Sequence, residues 1–199
     1  LGGSVMRCGK PDSLSDWTKK HFAEADGLVF VGAVGIAVRA IAPYIEKKWK
    51  DPAVVAVDEC AQFAVPLLSG HLGGANRLAR AVSEVCGAQA VITTATDVNG
   101  VFAVDEWARC QGLSVIAPQH IKLISGKLLA GGSVKVYSRS PIEGQCPTGV
   151  EVTPTLPADV AVSVWQEEAV LSLVPKTVVL GVGCRKGTPQ STIESVLER

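Results

Sequence analysis

The sequence has few charged residues and no excess of either charge. Charged side chains make up 19% of its 199 residues, and 19 basic residues balance 19 acidic ones. Surfaces that bind nucleic acid are usually strongly basic, so we expect no nucleic-acid partner. No apolar run reaches the length of a membrane span and no signal peptide opens the chain, so we expect a soluble protein without a membrane partner.

The chain also lacks paired cysteine motifs. Its six cysteines are widely scattered and none forms a C-x-x-C pair. This spacing predicts neither a zinc site nor a disulfide framework. We interpret the cysteines as mostly reduced core residues of a cytoplasmic protein.

A complete dinucleotide fingerprint is absent as well. Gly32 and Gly35 stand between a predicted strand and helix, but without the G-x-G-x-x-G spacing. Arg39 follows them and either contacts an anionic ligand or extends from the helix into solvent. The segment LGVGCRKG (180–187) has G-x-G-x-x-x-G, and the acidic residue expected about 20 positions later cannot be checked. A bound dinucleotide is therefore weakly supported.

What the sequence does contain is an alternation of short strands and helices. This pattern predicts an α/β fold with a mostly parallel sheet and helices on both faces. The predicted strands are 28–32, 53–58, 63–68, 90–93 and 113–116. The predicted helices are 35–49 (bent near Pro43), 73–86 (ended by Gly87), 102–111 and 119–130.

The pattern changes after Gly131. Strands are predicted at 133–138, 160–164 and 169–174 without helices between them, and a segment rich in proline and glycine covers 141–157. This predicts a small strand-rich subdomain, antiparallel or mixed. We therefore divide the chain into 1–131, 132–176 and 177–199.

The last of these segments begins with a strand at 177–183, followed by a helix capped near Thr188 and Pro189. One strand and one helix cannot bury their own apolar faces. We expect this to be the start of a truncated domain, which either packs poorly or pairs with another chain, as in a homodimer.

Two polar blocks, SGHLGGAN (69–76) and ITTATD (92–97), follow predicted strands. Ligands of parallel α/β sheets lie beyond the carboxyl ends of the strands, so we expect one shared site there. The first block offers Ser69, His71 and Asn76, with Gly73 and Gly74 letting the backbone approach a ligand at a helix start that attracts anions. The second offers the side chains of Thr93, Thr94, Thr96 and Asp97. Taken singly, each block is equally well explained as a helix cap or turn.

Three strings carry a resemblance to a known family: FVGAVGIAVRAIAPYIEKKWKDPAVVAVDE, LLSGHLGGANRLAR and VITTATDVNGVFAVDEWA. They resemble the CbiG family of anaerobic cobalamin biosynthesis, the cobalt-precorrin-5A hydrolases. The resemblance is strong over 26–131 and looser over 132–175. LGVGCRKGT is similar to the start of the family's carboxyl-terminal domain.

The resemblance implies a reaction and a substrate. The δ-lactone on ring A of cobalt-precorrin-5A is opened by water, and a two-carbon fragment leaves as acetaldehyde to give cobalt-precorrin-5B. The partner is then a small-molecule tetrapyrrole that carries its own cobalt, so no cofactor is expected.

We assign provisional roles to the site residues on this basis. His71 is the general base, with Asp97 orienting it or acting itself. Gly73 and Gly74 supply N–H groups to an oxyanion hole. Ser69 is an alternative nucleophile, although G-x-S-x-G is absent and direct attack by water is favoured. Gly32, Gly35, Arg39, Asn76 and the three threonines would bind the substrate.

Two other classes of function stay open at this point. A tetrapyrrole carrier without catalytic activity would use the same turns and would not need His71 or Asp97. A dinucleotide-dependent oxidoreductase would bind nicotinamide at Gly32 and Gly35, or along 181–187.

Overall fold

The computed structural model describes residues 5–142, 145–177, 181 and 183–197, which form two sheets with helices around them. The first sheet has four strands: β1 (Gly27–Val31), β2 (Ala53–Val57), β3 (Phe63–Leu68) and β4 (Gln89–Ala90). The second has five: β5 (Leu113–Ile116), β6 (Val134–Ser138), β7 (Val150–Thr153), β8 (Ala158–Val162) and β9 (Ala169–Pro175). The predicted α/β class, with mostly parallel strands, is confirmed, but the strands are divided between two sheets.

The order in the first sheet is β1-β2-β3-β4, and one strand pair reverses direction. β1 runs parallel to β2, whereas β3 runs antiparallel to β2, with Val54 opposite Leu68 and Val57 opposite Ala64. β4 is parallel to β3. The carboxyl ends of β1 and β2 therefore lie at one edge of the sheet, and those of β3 and β4 lie at the opposite edge.

Helices cover this sheet on both sides and form two apolar clusters. They are α1 (Leu14–His21), α2 (Val34–Ile41), α3 (Ala75–Cys86) and the single turn α4 (Ala95–Val98). α1 and α2 pack on one face, around Leu28, Phe30 and Val54, and α3 packs on the other, against Val55. Both faces of β2 are covered, which explains its uninterrupted run of buried alanine and valine.

Two sequence predictions in this region are corrected. The helix predicted at 35–49 ends at Ile41 and continues only as a 3-10 turn, Ala42–Tyr44, because Pro43 lacks the N–H that an α-helix needs. α1 was also not among the predicted helices, and its His21 is buried, at 5% exposure. His21 contacts the ring of Trp17, so aromatic packing holds it inside.

The second sheet has the order β5-β9-β8-β6-β7. Its neighbours are parallel except β5, which runs antiparallel to β9, so the expected mixed arrangement is present. β7 lies inside the segment that we had interpreted as a proline- and glycine-rich connection. It is an edge strand of four residues, too short and too exposed to give a clear apolar pattern.

Helices α5 (Val104–Cys110) and α6 (Ile121–Leu129) pack on this second sheet, linked through β5 and a 3-10 turn at Pro118–His120. Val104 and Ile124 share one buried cluster with Val134, Leu171 and Leu173. The second sheet therefore draws β5, α5 and α6 from residues before Gly131, where the sequence pattern had placed the change of architecture.

Of the terminal segment, α7 spans Gln190–Leu197. The strand predicted at 177–183 lies largely outside the described residues. Within the described parts of the chain, no helix combines the length and apolar character needed to cross a membrane.

The six cysteines are free thiols, but all are exposed, so our interpretation of them as core residues was wrong. Two of them, Cys86 and Cys110, are the last residues of α3 and α5.

Candidate functional site

The two polar blocks meet at the edge where β3 and β4 end. The carboxylate of Asp97 accepts hydrogen bonds from three side chains: His71 Nε2 at 2.6 Å, Thr94 Oγ1 at 2.6 Å and Asn76 Nδ2 at 3.1 Å. Asn76 also donates to Thr94 Oγ1 at 2.9 Å. The predicted proximity of the two blocks is confirmed by these contacts.

Ser69 builds the turn and does not join this network. Its backbone is left-handed, with φ of +57°, and its hydroxyl donates to the carbonyl of Asp51 at 2.8 Å. The side chain is buried, at 8% exposure. A hydroxyl held against a main-chain oxygen is poorly placed to attack a substrate, so this geometry does not fit the nucleophile role that we considered for Ser69.

The backbone N–H groups at the start of α3 are likewise bonded to carbonyls of the preceding turn. The N–H of Gly74 donates to the His71 carbonyl, that of Ala75 to Ser69 and that of Asn76 to Gly70, at 2.8 to 3.0 Å. These are the groups expected to bind an anion. The oxyanion hole predicted at Gly74 is therefore wrong, because the N–H is already used within the protein. Gly73 is required for space, since a Cβ there would lie 2.3 Å from that of Ser69.

His71 lies between two carboxylates, only one of which the sequence analysis singled out. Its Nε2 contacts Asp97, and its Nδ1 lies 3.4 Å from Oδ1 of Asp105, a buried residue of α5. Contact with Asp105, and then with Asp97, outweighs the cost of burial and raises the pKa of His71 to about 9. His71 is therefore an imidazolium at neutral pH, which does not fit our prediction that it acts as a general base.

Asp97 is the most heavily hydrogen-bonded carboxylate of the cluster. In addition to the three contacts above, its Oδ1 accepts from Arg80 at 2.6 Å. Burial alone would raise its pKa, but the hydrogen bonds from Thr94, His71 and Arg80 hold the pKa of Asp97 well below its usual range. A carboxylate that accepts this many hydrogen bonds is a weak base. Its contact with His71 favours the protonated form of the ring.

The threonines of the second block differ in position. Thr96 is buried, and its Oγ1 lies 3.2 Å from His71 Nε2, where it accepts from the protonated ring. Thr94 precedes α4 and bonds Asp97. Thr93 is exposed.

Asp105 and Glu106, at the start of α5, were missed by the sequence analysis. The Glu106 carboxylate lies within 4.8 Å of ligand atoms of His71 and Asp97, and 3.9 Å from Arg109. Two adjacent acidic residues at a helix start were a visible signal, but acidic residues are common there because they favour the helix dipole. Only the packing of α5 against the turn that carries His71 distinguishes Asp105 and Glu106 from other acidic residues at helix starts.

The spacing of His71, Asp97 and Glu106 would suit a metal ion, since each offers one ligand atom. The ring of His71 and the carboxylate of Asp97, however, already serve the hydrogen-bond network. A metal would have to displace the His71 proton and compete with the donors on Asp97. These residues therefore fit a hydrogen-bond network better than a metal site.

Gly32, Gly35 and Arg39 do not join the cluster. They follow the carboxyl end of β1, and the N–H of Gly32 donates to Val57 at 2.8 Å, whereas Leu68 lies opposite Val54 at the other end of β2. Arg39 is exposed and donates to the Gly35 carbonyl. We predicted that these residues bind the substrate; they lie at the opposite edge of the sheet from the cluster, because β3 reverses direction relative to β1 and β2.

Two cavities flank the first sheet. One of about 490 Å³ adjoins the cluster and is lined by Trp49, Leu72, Arg109, Leu113, Ser114, Val115 and Pro118. A larger one, of about 630 Å³, lies beside β1 and shares no lining residue with the cluster. The smaller of these two cavities lies next to the cluster, because Leu72, which follows His71, lines it.

Comparison with known proteins agrees with these features. Residues 16–97 match the family model described as cobalamin synthesis G N-terminal. The chain is 36% identical over 201 residues to cobalt-precorrin-5A hydrolase of Salmonella typhimurium, covering 91% of the chain and 56% of that protein. It is 30% identical over 200 residues to the protein of the same name from Priestia megaterium, covering 89% and 54%. The chain thus spans about half the length of these curated relatives.

A crystal structure described as a cobalamin biosynthesis protein G homolog from Sulfolobus solfataricus has the same fold. Its TM-score is 0.51 and its sequence identity 23%, over 90% of this chain and 55% of that one. Together with the matched residues 16–97, these likenesses show that the chain belongs to the CbiG family.

Proposed function

We propose that this chain carries the site of a cobalt-precorrin-5A hydrolase, which opens the ring A δ-lactone with water and releases acetaldehyde to give cobalt-precorrin-5B. One observation supports this most directly: a partly buried imidazolium, His71, is held by two carboxylates, and the next residue, Leu72, lines an open apolar cavity. The relatives named for this reaction match about nine-tenths of the chain.

His71 supplies the positive charge that the reaction needs. Lactone opening develops negative charge first on the carbonyl oxygen and then on the leaving alkoxide. A fixed imidazolium stabilises such charge and can protonate the leaving oxygen. Asp97 and Asp105 keep the ring charged, and Asn76 and Thr94 hold Asp97 in place.

The adjoining cavity gives the macrocycle a place to bind. Its lining combines an indole, two leucines, a valine and a proline with a serine and the guanidinium of Arg109. A tetrapyrrole is a broad, largely apolar ring with carboxylate side chains, so it suits apolar walls with a cation among them. Arg80, whose side chain is 45% exposed, is a second cation at the edge of the cluster.

We assign no resident metal or cofactor to the protein. The substrate brings its own cobalt, and hydrolysis requires only water, an acid and a base. We further propose that the protein works in the cytoplasm, where its free, exposed thiols stay reduced. A homodimer remains a separate proposal, tested by light scattering of the purified protein.

The test is to incubate the purified protein with cobalt-precorrin-5A without oxygen and to follow acetaldehyde with a coupled alcohol dehydrogenase. We expect release of one acetaldehyde per substrate. Binding without turnover would favour the tetrapyrrole carrier, and binding of a nicotinamide nucleotide in a fluorescence titration would favour the oxidoreductase.

A further inference from the structure

The polar cluster contains one carboxylate that its hydrogen bonds leave open. Asp97 accepts from four side chains, and Asp105 is buried, with its Oδ1 shared between His71 and the N–H of Glu106. The side chain of Glu106 is 30% exposed, and its nearest cation is Arg109 at the loose distance of 3.9 Å. Glu106 therefore has a carboxylate oxygen free to accept a proton.

The position of Glu106 suits a bridging water. Its carboxylate and the His71 ring lie within 4.8 Å of each other, and no direct hydrogen bond joins them in the described part of the chain. Two hydrogen bonds of about 2.8 Å can span such a gap through one water oxygen. A water at that point would contact a carboxylate on one side and lie beside an acidic imidazolium on the other.

Residues next to Glu106 and His71 line the cavity assigned to the macrocycle. Arg109, one turn along α5 from Glu106, lines that cavity, as does Leu72, which follows His71. A lactone carbonyl placed at this end of the cavity would lie next to the water and the imidazolium together. Acid and base would then act on the same ester group from neighbouring positions.

We propose that Glu106 is the catalytic base that deprotonates the attacking water in lactone opening, and that His71 is the acid for the leaving oxygen. This assignment rests on the proposed function. It divides the acid and base roles between a turn of the first sheet and a helix of the second.

The step balances as follows. One water O–H proton passes to Glu106 while the water oxygen bonds to the lactone carbonyl carbon, and the C=O π pair moves onto the carbonyl oxygen. When that pair returns, the ring C–O bond breaks and the leaving oxygen takes a proton from His71. The products are a carboxylic acid and an alcohol. The proton on Glu106 then passes to neutral His71 through water, which restores both groups.

The experiment compares Glu106→Gln with Glu84→Gln, an exposed glutamate of α3 outside the cluster. Single-turnover lactone opening is followed by absorbance from pH 5 to pH 10, and substrate binding is measured separately. We expect Glu106→Gln to bind substrate normally and to lose roughly two to four orders of magnitude in rate. Glu84→Gln should match the unsubstituted protein.

A second variant tests the role of Glu106 by the recovery of activity, not only by its loss. Glu106→Ala leaves space for a small carboxylate, so added formate should restore part of its rate, and no rescue is expected for His71→Gln. A near-normal rate of lactone opening in Glu106→Gln would overturn the assignment. So would activity of the unsubstituted protein that is abolished by chelator and restored by a divalent metal, since Glu106 would then be a metal ligand.

The two proposals fail in distinguishable ways. If the unsubstituted protein neither binds the substrate nor opens its lactone, the proposed function itself is wrong. If it does both and Glu106→Gln does so equally well, only the base assignment is wrong.

Discussion

At the scale of single residues, His71 is defined by its two carboxylate neighbours. A histidine with one partner titrates near neutrality, whereas Asp97 on Nε2 and Asp105 on Nδ1 raise its pKa to about 9. The charges of Arg80 and Arg109 balance those of the remaining carboxylates. The cluster then contains three cations and three carboxylates: His71, Arg80 and Arg109, with Asp97, Asp105 and Glu106. The result is a fixed, nearly neutral cluster that contains a proton donor.

Replacement of His71 tests this assignment directly. His71→Gln keeps a hydrogen-bonding side chain but carries neither charge nor a transferable proton. We expect substrate binding to persist and acetaldehyde release to slow by roughly two to four orders of magnitude. His120→Gln is the matched control, because the His120 ring bonds to the carbonyl of Val170, in the second sheet. Near-normal release by His71→Gln would contradict the acid role.

Stability should depend on pH through the same residue. The pKa of His71 is raised from 6.5 to about 9 in the folded protein, so its contribution is complete below pH 6.5 and is lost as pH rises through 9. The loss should be on the order of 3 kcal/mol, since each unit is worth about 1.4 kcal/mol. Urea unfolding of the protein and of His71→Gln from pH 6 to pH 10 measures it. The two stability curves should converge at high pH, and parallel curves would contradict the assignment.

At the scale of elements, the turn between β3 and α3 sets the position of His71. Gly74 has φ of +86° with open space around it, whereas Gly73 packs against Ser69. The turn also reaches both halves of the molecule, because Leu72 packs against the core of the second sheet and Ala75 lies in that of the first. A small shift of this turn therefore moves His71 relative to Asp105.

Three glycine-to-alanine substitutions separate the stability cost of backbone strain from the cost of steric overlap. Gly74→Ala should cost about 1 kcal/mol of stability from backbone strain alone. Gly73→Ala should cost more, and should also lower activity, because its Cβ would clash with Ser69. Gly126→Ala, in the open middle of α6, should stabilise by about 0.5 to 1 kcal/mol. Chemical denaturation and acetaldehyde release are measured for each. Equal losses at Gly73 and Gly74 would contradict the crowding argument.

At the scale of the whole molecule, the site lies where the two sheets meet. The first sheet provides His71, Asn76 and Asp97 from connections after β3 and β4, and α5 on the second sheet provides Asp105 and Glu106. The acid and its supporting carboxylates thus come from two separately packed cores. Reversal of β3 puts the connection after β1 at the opposite edge.

A pair of arginine variants tests this geometry. Arg39 and Arg80 both extend from helices of the first sheet, but only Arg80 contacts the cluster, through Asp97. Arg80→Ala should lower kcat/KM by about tenfold or more, the usual cost of losing a charged hydrogen bond. Arg39→Ala should leave kcat/KM unchanged. An equal loss in both variants would show that the substrate reaches the β1 edge as well.

The sequence predicted much of the first sheet and part of the site. The strands near 28–32, 53–58 and 63–68 and the helix ended by Gly87 were correct, because their apolar periodicity and glycine stop are local properties. The contact of His71 with Asp97 was also expected, since both follow strands. Asp105 and Glu106 were not found, because His71, which they approach in the folded protein, lies more than 30 positions away in the chain.

The sequence by itself therefore determined the α/β class, the family and the two polar blocks, which depend on residue order and local pattern. Only the tertiary structure decided the direction of β3, the division into two sheets and the charge on His71. Strand direction depends on which neighbour buries a strand, and the pKa of a histidine depends on the carboxylates that packing brings to it. Neither is recorded in the spacing of residues along the chain.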